Sequence, residues 1–397
     1  MKEKKYNRYL TPYISADLDH RMIFIAGPRQ VGKTTFTRQV ISEIYPQSIY
    51  LNWDNTQDRH TMMAAQWPTE GALIVLDELH KYRFWKRWIK GEYDKYKDHH
   101  HFVVTGSAKL DTYRKQGDSL FGRYHYYRMH PFTLAEITSG SSKISATIES
   151  PGQALRFGDA DSENLDTLFT FGGFPEPLFK RNARFLRQWH QERSDLIIKG
   201  DLRDIATVHD MSSLTLLSQF LPEKVGALLS LNSLREDLGV SYTAVSRWIL
   251  LLETVYYCYR IYPYAQRVIR SLKKEPKLYL WDWSQVPDPA ARFENMVAGH
   301  LLKFCHLLRD YGGYKSELHY LRNVDKREVD FLVTLDGKPW FAVEVKRNAE
   351  NIGSNIHYFK DRLHIPHVFQ VIQKDGVDWT KDGVRTISAS RFLTGLV

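Results

Sequence analysis

The hydrophobic pattern changes period several times along the chain, and each change marks an element. Residues 21–26 (Arg-Met-Ile-Phe-Ile-Ala) are a nearly continuous apolar run, the mark of a strand buried on both faces. A loop follows at Gly27–Thr35, and Thr34–Tyr45 reads as a helix stopped by Pro46. Ser48–Trp53, Ala72–Leu76 and His101–Thr105 read as further strands. Strands alternating with helical stretches predict an α/β domain around a parallel sheet. Thr138–Gln153, rich in Ser, Thr and Gly and holding Pro151, reads as a mobile loop closing that domain.

From about 160 to 260 the pattern is helical. Leu221–Leu231 reads as an amphipathic helix, Asn232–Gly239 as a short helix ended by its glycine, and the stretch after Ser241 as a third with that serine as N-cap. Helix, Gly-containing turn and helix is the helix-turn-helix pattern, and the β-branched and aromatic run Val255–Tyr264 would form a wing. Leu278–Trp281 opens a mixed region. It holds a helix at Arg292–Leu301 and strands near 318–322, 328–335 and 340–346, the last two joined by the turn Asp336-Gly337-Lys338.

The loop after the first strand carries the most specific chemistry. Gly27-Pro28-Arg29-Gln30-Val31-Gly32-Lys33-Thr34, continued by Thr35, satisfies the phosphate-loop pattern at every fixed position. The two glycines let backbone N–H groups face phosphates, Lys33 reaches the β- and γ-phosphates, and the Thr34 hydroxyl holds Mg²⁺. ATP and Mg²⁺ are the expected ligands. The strand at 72–76 delivers Asp77 and Glu78, the first to support Mg²⁺ and the second to polarise the attacking water. Thr105 and Ser107, at the end of the strand at 101–105, are placed to sense the γ-phosphate or simply to cap a turn. Arg123 has the chemistry to stabilise transition-state charge on a neighbouring subunit's ATP.

Composition adjusts this picture in three ways. At 397 residues the chain exceeds the roughly 250–300 a single core supports, so two or three domains are expected. A net charge of +9, from 55 Lys+Arg against 46 Asp+Glu, suits a polyanionic partner without demanding one. Only Cys258 and Cys305 are present, in apolar surroundings, which argues against a disulfide framework and for a reducing cytoplasm. The charged start Met1-Lys-Glu-Lys-Lys lacks a signal-peptide core, and no apolar run reaches the roughly 20 residues that span a bilayer.

Basic residues cluster twice. Lys81–Lys97 interleaves seven of them with aromatics at near-helical spacing, which favours a packed amphipathic helix with a basic outer face over a single-strand binding surface. Arg247, on the third helix of the helix-turn-helix, and the run Arg260, Arg267, Arg270, Lys273, Lys274 and Lys277 are candidates to neutralise DNA phosphates. Near the C-terminus, Asp330 on one strand and Glu344-Val-Lys346 on the next meet across the hairpin, since period two puts Glu344 and Lys346 on one face. Two carboxylates and the Val345 carbonyl make an oxygen-rich Mg²⁺ site, Lys346 is placed to orient or activate water, and Glu294 on the preceding helix adds a direct or outer-sphere ligand. That set is nuclease-like; a salt-bridged hairpin is the plainer alternative.

Gly27–Thr35, Asp77-Glu-Leu-His-Lys81, Thr105-Gly-Ser107, Gly122-Arg123 and Phe171-Gly-Gly-Phe-Pro-Glu176 together resemble the bacterial and archaeal AAA-type ATPases that carry a C-terminal DUF4143 domain. Asp201-Leu-Arg203-Asp204 matches the Arg-Asp pair that follows the lid in that group, and Asp330…Glu344-x-Lys346 resembles the PD-(D/E)xK nuclease superfamily. The resemblance spans essentially the whole chain. It implies an AAA+ P-loop core at 1–155, a helical lid at 156–210, a winged helix at 211–271 and a restriction-endonuclease-like α/β domain at 272–397. It also implies a homo-oligomer, such as a hexameric ring, whose sites are completed by Arg123 or Arg203 of a neighbour. The expected function is ATP-driven DNA processing on duplex or branched DNA, with or without cleavage. Two alternatives stand beside it: a branched-DNA remodelling motor whose nuclease fold only binds, and a nucleotide-gated defence or toxin–antitoxin switch acting on a protein.

Overall fold

The computed structural model describes residues 8–41, 44–45, 47–106, 120–138, 151–202, 210–265, 275–348 and 351–397. These form two compact units, divided between His130 and Pro131. The first contains α1 (Thr11–Leu18), β1 (Met22–Ala26), α2 (Lys33–Thr35, continued by a π-helical stretch Phe36–Ile41), β2 (Ser48–Asn52), α3 (Thr56–Met63), β3 (Leu73–Asp77), α4 (Trp85–Tyr96), β4 (His101–Thr105) and β5 (Tyr124–Arg128).

Its sheet is parallel throughout, in the order β2-β3-β4-β1-β5. The apolar runs of β1 and β3 are buried along their whole length, as strands covered on both faces must be. Strand β5 was not legible in the sequence, because Tyr-His-Tyr-Tyr-Arg has no apolar run, yet Tyr126 and Tyr127 are buried beside β1. Helix α4 turns Trp85, Ile89 and Tyr93 inward, as its spacing predicts, against Phe24, Ile74 and Phe102. Because the strands run parallel, Ala26, Asn52, Asp77 and Thr105 all end at one edge of the sheet, where ligands of such sheets bind.

The second unit contains α5 (Leu134–Thr138), α6 (Ser162–Phe171), α7 (Pro175–Lys180), α8 (Ala183–Asp195, with a π-helical Leu196–Asp201), α9 (Met211–Phe220), α10 (Leu231–Leu238), α11 (Tyr242–Thr254), β6 (Cys258–Ile261), β7 (Lys277–Leu280) and α12 (Pro289–Asp310). Then come β8 (Ser316–Arg322), β9 (Glu328–Leu335), β10 (Lys338–Lys346), α13 (Ser354–Leu363), β11 (His367–Ile372), β12 (Asp378–Lys381), β13 (Val384–Ser388) and α14 (Ala389–Phe392). The β-sheet of this half has the order β12-β13-β11-β10-β9-β8. Both central residues of the β9–β10 turn have positive φ (Asp336 50°, Gly337 80°), the geometry that keeps a tight hairpin in twist with its strands.

One expected element is absent. Leu221–Leu231 does not form a single helix: Pro222 lies in a 3-10 turn, Leu221–Lys224, and Gly226 bends the chain at φ 77°. Val225 and Leu228 instead bridge to Leu278 and Lys277 of β7. The two following helices match their sequence signals. Ser230 and Ser241 accept the N-cap hydrogen bonds from Ser233 and Ala244 (3.3 and 3.1 Å), and Gly239 ends α10 at φ 65°. Within the run expected to form a wing, Cys258–Ile261 forms strand β6, paired antiparallel with β7. The expected loop at 138–153 lies mostly outside the described residues.

A buried polar knot in α12 yields a pH prediction. The His300 Nδ1–H donates to the Met296 carbonyl at 2.8 Å, and Nε2 accepts from the Leu134 N–H at 3.1 Å. That pair of bonds requires the neutral ring. Burial pushes the His300 pKa down to about 3, with Lys303 adding to the effect. The folded state therefore binds fewer protons than the unfolded chain below pH ~6.5. The contribution is fully present above that pH and is lost as pH falls toward 3. Urea midpoints measured across this range should fall more steeply for the wild type than for His300→Gln.

Candidate functional site

The phosphate loop is shaped by its glycines. At Gly27 the backbone has φ 155°, and an added methyl carbon would lie 2.3 Å from the Met129 carbonyl oxygen. Gly32, in the left-handed region at φ 98°, caps the helix that starts at Lys33. Gln30 is also left-handed at φ 61°. The Lys33 ammonium donates to the carbonyls of Gly27 (2.9 Å) and Pro28 (2.8 Å), while the buried Val31 carbonyl accepts from Arg8 at 2.9 Å. Arg29 is half-buried, and Thr34 and Thr35 are exposed at the loop's mouth.

Sheet order brings the second half of the site to the loop. β4 lies between β1 and β3, so Thr105 stands next to Asp77 in register. The Thr105 hydroxyl donates to one Asp77 oxygen. Thr34 (3.1 Å) and the Tyr50 phenol donate to the other. Thr34 and Asp77 thus converge as the oxygen pair an Mg²⁺ ion at a triphosphate requires, which fits the ion to these residues. Tyr50 was missed in the sequence: it lies on β2, and only its pairing with β3 brings it to Asp77. Burial, with the hydrogen bond to Asp77 adding, pushes its phenol well above the ordinary tyrosine range.

Glu78 leaves the strand in the left-handed region (φ 56°), a strained conformation for a non-glycine residue of the sort concentrated at functional sites. Its Oε2 is buried without a hydrogen bond, 3.5 Å from both His80 Nε2 and Lys81 Nζ. Burial raises the Glu78 pKa, opposed by the fields of Lys81 and Lys33. A raised, under-coordinated carboxylate beside the phosphate loop has the basicity a water-polarising group needs. Arg123 lies at the opposite edge of the sheet, just before β5, in a bidentate pair with Asp94 (2.7 and 3.1 Å). Ser107 and Arg203 lie outside the described residues. The His99–His101 triplet is structural in part: His100 Nδ1 accepts from the Ala72 N–H at 3.2 Å, and His101 contacts the Leu18 carbonyl at 2.9 Å.

The second constellation lies where β7, α12, β9 and β10 converge. The hairpin register Val343↔Phe331 makes Glu344 and Asp330 the next pair, and the Val345 N–H donates to Asp330 Oδ2 at 2.8 Å. Lys346 Nζ lies 2.9 Å from Glu344 Oε1, while Glu344 Oε2 is buried without a hydrogen bond. Asp330, Glu344 and Lys346 are therefore neighbours, and Glu294 reaches Asp330 through the Lys277 ammonium between them. Burial opposes the Lys346 charge, but the Glu344 hydrogen bond and the fields of Glu344, Asp330 and Glu294 outweigh it and raise its pKa.

Lys277 is placed otherwise than its membership of the basic run suggested. Its ammonium is buried among Glu328 (2.7 Å), Glu294 (3.4 Å) and Asp330 (3.6 Å). Burial works against that charge, and the three carboxylates overcome it and raise its pKa. Tyr279 donates to Glu294 Oε1 at 2.7 Å. Burial, with Asp330 adding, pushes Glu294 up to about 7. A cavity of about 290 Å³ opens beside Glu294, between Gly226, Asp288 and Arg347. Among the described residues no three His, Cys, Asp or Glu side chains are set to hold a metal ion. A divalent ion at Glu294, Asp330 and Glu344 would have to replace the Lys277 charge.

The expected DNA contacts divide. Arg247 is exposed on α11. Arg260 is bound to Glu253 through two hydrogen bonds (2.9 and 2.7 Å), so its charge is already compensated. Arg267, Arg270, Lys273 and Lys274 lie outside the described residues.

With this geometry in view, comparison with known proteins divides the chain in three. An AAA domain model matches residues 19–138, and a domain of unknown function, DUF8612, matches 162–286. A second domain of unknown function, DUF4143, matches 290–392. The chain pairs an AAA-type ATPase domain with a DUF4143 domain. The phosphate loop, Asp77 and Glu78 fall in the AAA domain, and Glu294, Asp330, Glu344 and Lys346 in DUF4143. Uncharacterized proteins of Mycobacterium tuberculosis (Rv2008c) and Mycobacterium bovis (Mb2031c) are each 21% identical over 345 residues, 83% of this chain and 70% of theirs. Among solved structures, the Thermotoga maritima RuvB Holliday junction branch migration motor is 16% identical, covering 63% of this chain and 87% of that one, with a TM-score of 0.30. The Aeropyrum pernix Orc1 protein in complex with DNA is 15% identical, covering 73% and 90%, also with a TM-score of 0.30. Among the described residues no helix is long and apolar enough to cross a membrane.

Proposed function

We propose that the protein is an ATP-hydrolysing, DNA-processing machine. The observation that carries this reading is the nucleotide site: Lys33 and Thr34 on the loop, with Asp77 locked by Thr105, Thr34 and Tyr50 and Glu78 poised beside them. Lys33 would bind the β- and γ-phosphates, Thr34 and Asp77 would hold Mg²⁺, and Glu78 would take the proton of the attacking water. DNA would be held by the helix pair α10–α11 through Arg247 and by the basic run between β6 and β7. The test is binding to linear, forked and four-way DNA over a salt series, with ATP turnover and strand cleavage followed in parallel. Binding should fall steeply with salt as phosphate contacts are screened. Salt-independent or absent binding would leave the protein-directed switch as the better reading.

For the DUF4143 centre, Asp330, Glu344 and Lys346 with Glu294 are the proposed set, and metal-dependent cleavage there would first require a divalent ion to displace the Lys277 ammonium. A second reading, that this domain holds DNA without cutting it, is favoured by Lys277, whose ammonium already compensates Glu294, Glu328 and Asp330.

Arg123 is proposed to complete a neighbouring subunit's site within a homo-oligomer. Its place at the sheet edge away from its own phosphate loop makes a contribution in cis geometrically unfavourable. Arg123→Ala should then slow hydrolysis strongly, a term of about 10³–10⁵ where arginine fingers act in GTPases. Mixing Arg123→Ala with Lys33→Ala subunits should restore part of the rate, since each mixed interface has one intact loop and one intact arginine. A fully active monomer would refute it. Arg203 is open to the same test.

A further inference from the structure

We propose that the surface formed by Trp53, Tyr82 and Phe84 is a stacking site for unpaired bases of single-stranded nucleic acid. The proposal rests on the DNA-processing reading and names the form of DNA that reaches the ATPase domain. Trp53, just past β2, and Tyr82, past β3, stack with ring centroids 5.1 Å apart and planes at 24°. Phe84 stands edge-on to Tyr82 at 6.0 Å and is 58% exposed, unusual for a phenylalanine. Trp53 and Tyr82 are rooted against the core, so the platform is rigid. None of the three lies on the inward face of α4 that Trp85, Ile89 and Tyr93 occupy. The core therefore does not account for Phe84.

Guanidinium groups alternate with these rings. Arg59 lies 6.0 Å from the Trp53 ring centroid and Arg83 5.3 Å from that of Phe84. The Arg59 Nε is buried without a hydrogen-bond partner. From Arg83, just before α4, into that helix, Arg83 and Arg87, and Lys86 and Lys90, repeat at four-residue spacing. The acids of the helix are turned elsewhere: Glu92 accepts from Trp67 at 2.8 Å, and Asp94 is held by Arg123. Rings that take bases on their faces, beside cations that follow a phosphate backbone, are what sequence-tolerant single-strand binding requires. A duplex buries its base faces and has nothing to offer Phe84.

The platform is wired to hydrolysis. Asp54 follows Trp53 in the chain, and Lys81 precedes Tyr82. The Lys81 ammonium bridges Asp54 at 2.5 Å and Glu78 at 3.5 Å. A strand seated on Trp53 and Tyr82 would shift this bridge and change the hold of Lys81 on Glu78, so single strands should alter ATP turnover.

The test is fluorescence anisotropy of a labelled oligothymidylate and of a labelled duplex, with the full chain. Phe84→Ala should weaken oligothymidylate binding about 5- to 150-fold, the range for loss of one base stack, and leave duplex binding unchanged. Phe84→Trp should restore it, and an unchanged melting temperature checks the fold. Equal oligothymidylate affinity in wild type and Phe84→Ala overturns the proposal. So does a parallel loss for the duplex, which would make the surface merely basic. A wild type that binds duplex but not oligothymidylate defeats this proposal alone. One that binds no DNA defeats it together with the DNA-processing reading. Competition by an acidic polypeptide in place of oligothymidylate would assign the surface to a protein.

Discussion

Lys33→Ala should leave the protein unable to hold ATP, whereas Glu78→Gln should hold ATP and fail to split it. Lys33 is the cation of the phosphate loop, and its ammonium donates to the carbonyls of Gly27 and Pro28, both neutral acceptors that a phosphate can outcompete. Removing it leaves the β- and γ-phosphate charge uncompensated in a partly buried site. Loss of one such fixed cation or donor costs about 10²–10³ in rate, and here the loss should appear mainly in affinity. Among the described residues, Glu78 Oε2 makes no hydrogen bond. The carboxylate is half-buried, raised in pKa and set 3.5 Å from Lys81, so the amide should keep the fold and forfeit only proton removal. That step is worth about 10²–10⁴. Equilibrium binding of a fluorescent ATP analogue and steady-state phosphate release separate the two variants. Similar, near-normal turnover in both would show that the site is misassigned.

Lys277→Met should destabilise the second unit more than any single surface change. The substitution removes the cation from among Glu294, Glu328 and Asp330 and leaves the aliphatic volume in place. Stripping one partner from a buried ionic cluster costs about 3–5 kcal/mol, most of it the penalty of carboxylates left uncompensated. Two treatments then divide the readings of the centre. If Glu294, Asp330 and Glu344 form a divalent-ion site, Mg²⁺ or Mn²⁺ should recover much of the lost stability, with a binding event visible by calorimetry. If the lysine is the permanent counter-ion of a DNA-holding fold, divalent ions should do little and acid should help. The sign follows from Glu294, pushed up to about 7 by burial and Asp330. A carboxyl raised in the folded state binds more protons there than in the unfolded chain, so stability rises as pH falls from 7 toward the ordinary value near ~4.5. Full stability of Lys277→Met in chelator at pH 8 would remove the cluster from both readings.

The sequence alone determined the pieces that are local. Gly27–Thr34 is contiguous, and the left-handed turn at Gly32 and the close approach at Gly27 follow from the residue types alone. The apolar runs of β1 and β3, the serine caps of α10 and α11 and the Asp336-Gly337 turn are equally short-range. Even Asp330 and Glu344 were readable, because a tight hairpin fixes register over a few residues. Tertiary structure decided what depends on distant pairing. Tyr50 reaches Asp77 only because β2 lies beside β3, and Thr105 reaches it because β4 lies between β1 and β3. Leu221–Leu231 has the composition of a helix but gives up that form where Val225 and Leu228 bridge β7. Trp53 meets Tyr82 across two loops that share no sequence signal. Lys277 shows the limit most plainly. In the chain it ends a basic run and reads as one more phosphate contact. In the fold, β7 carries it into a buried cluster of acids drawn from α12 and β9, where desolvation makes a paired cation far more favourable than an isolated carboxylate.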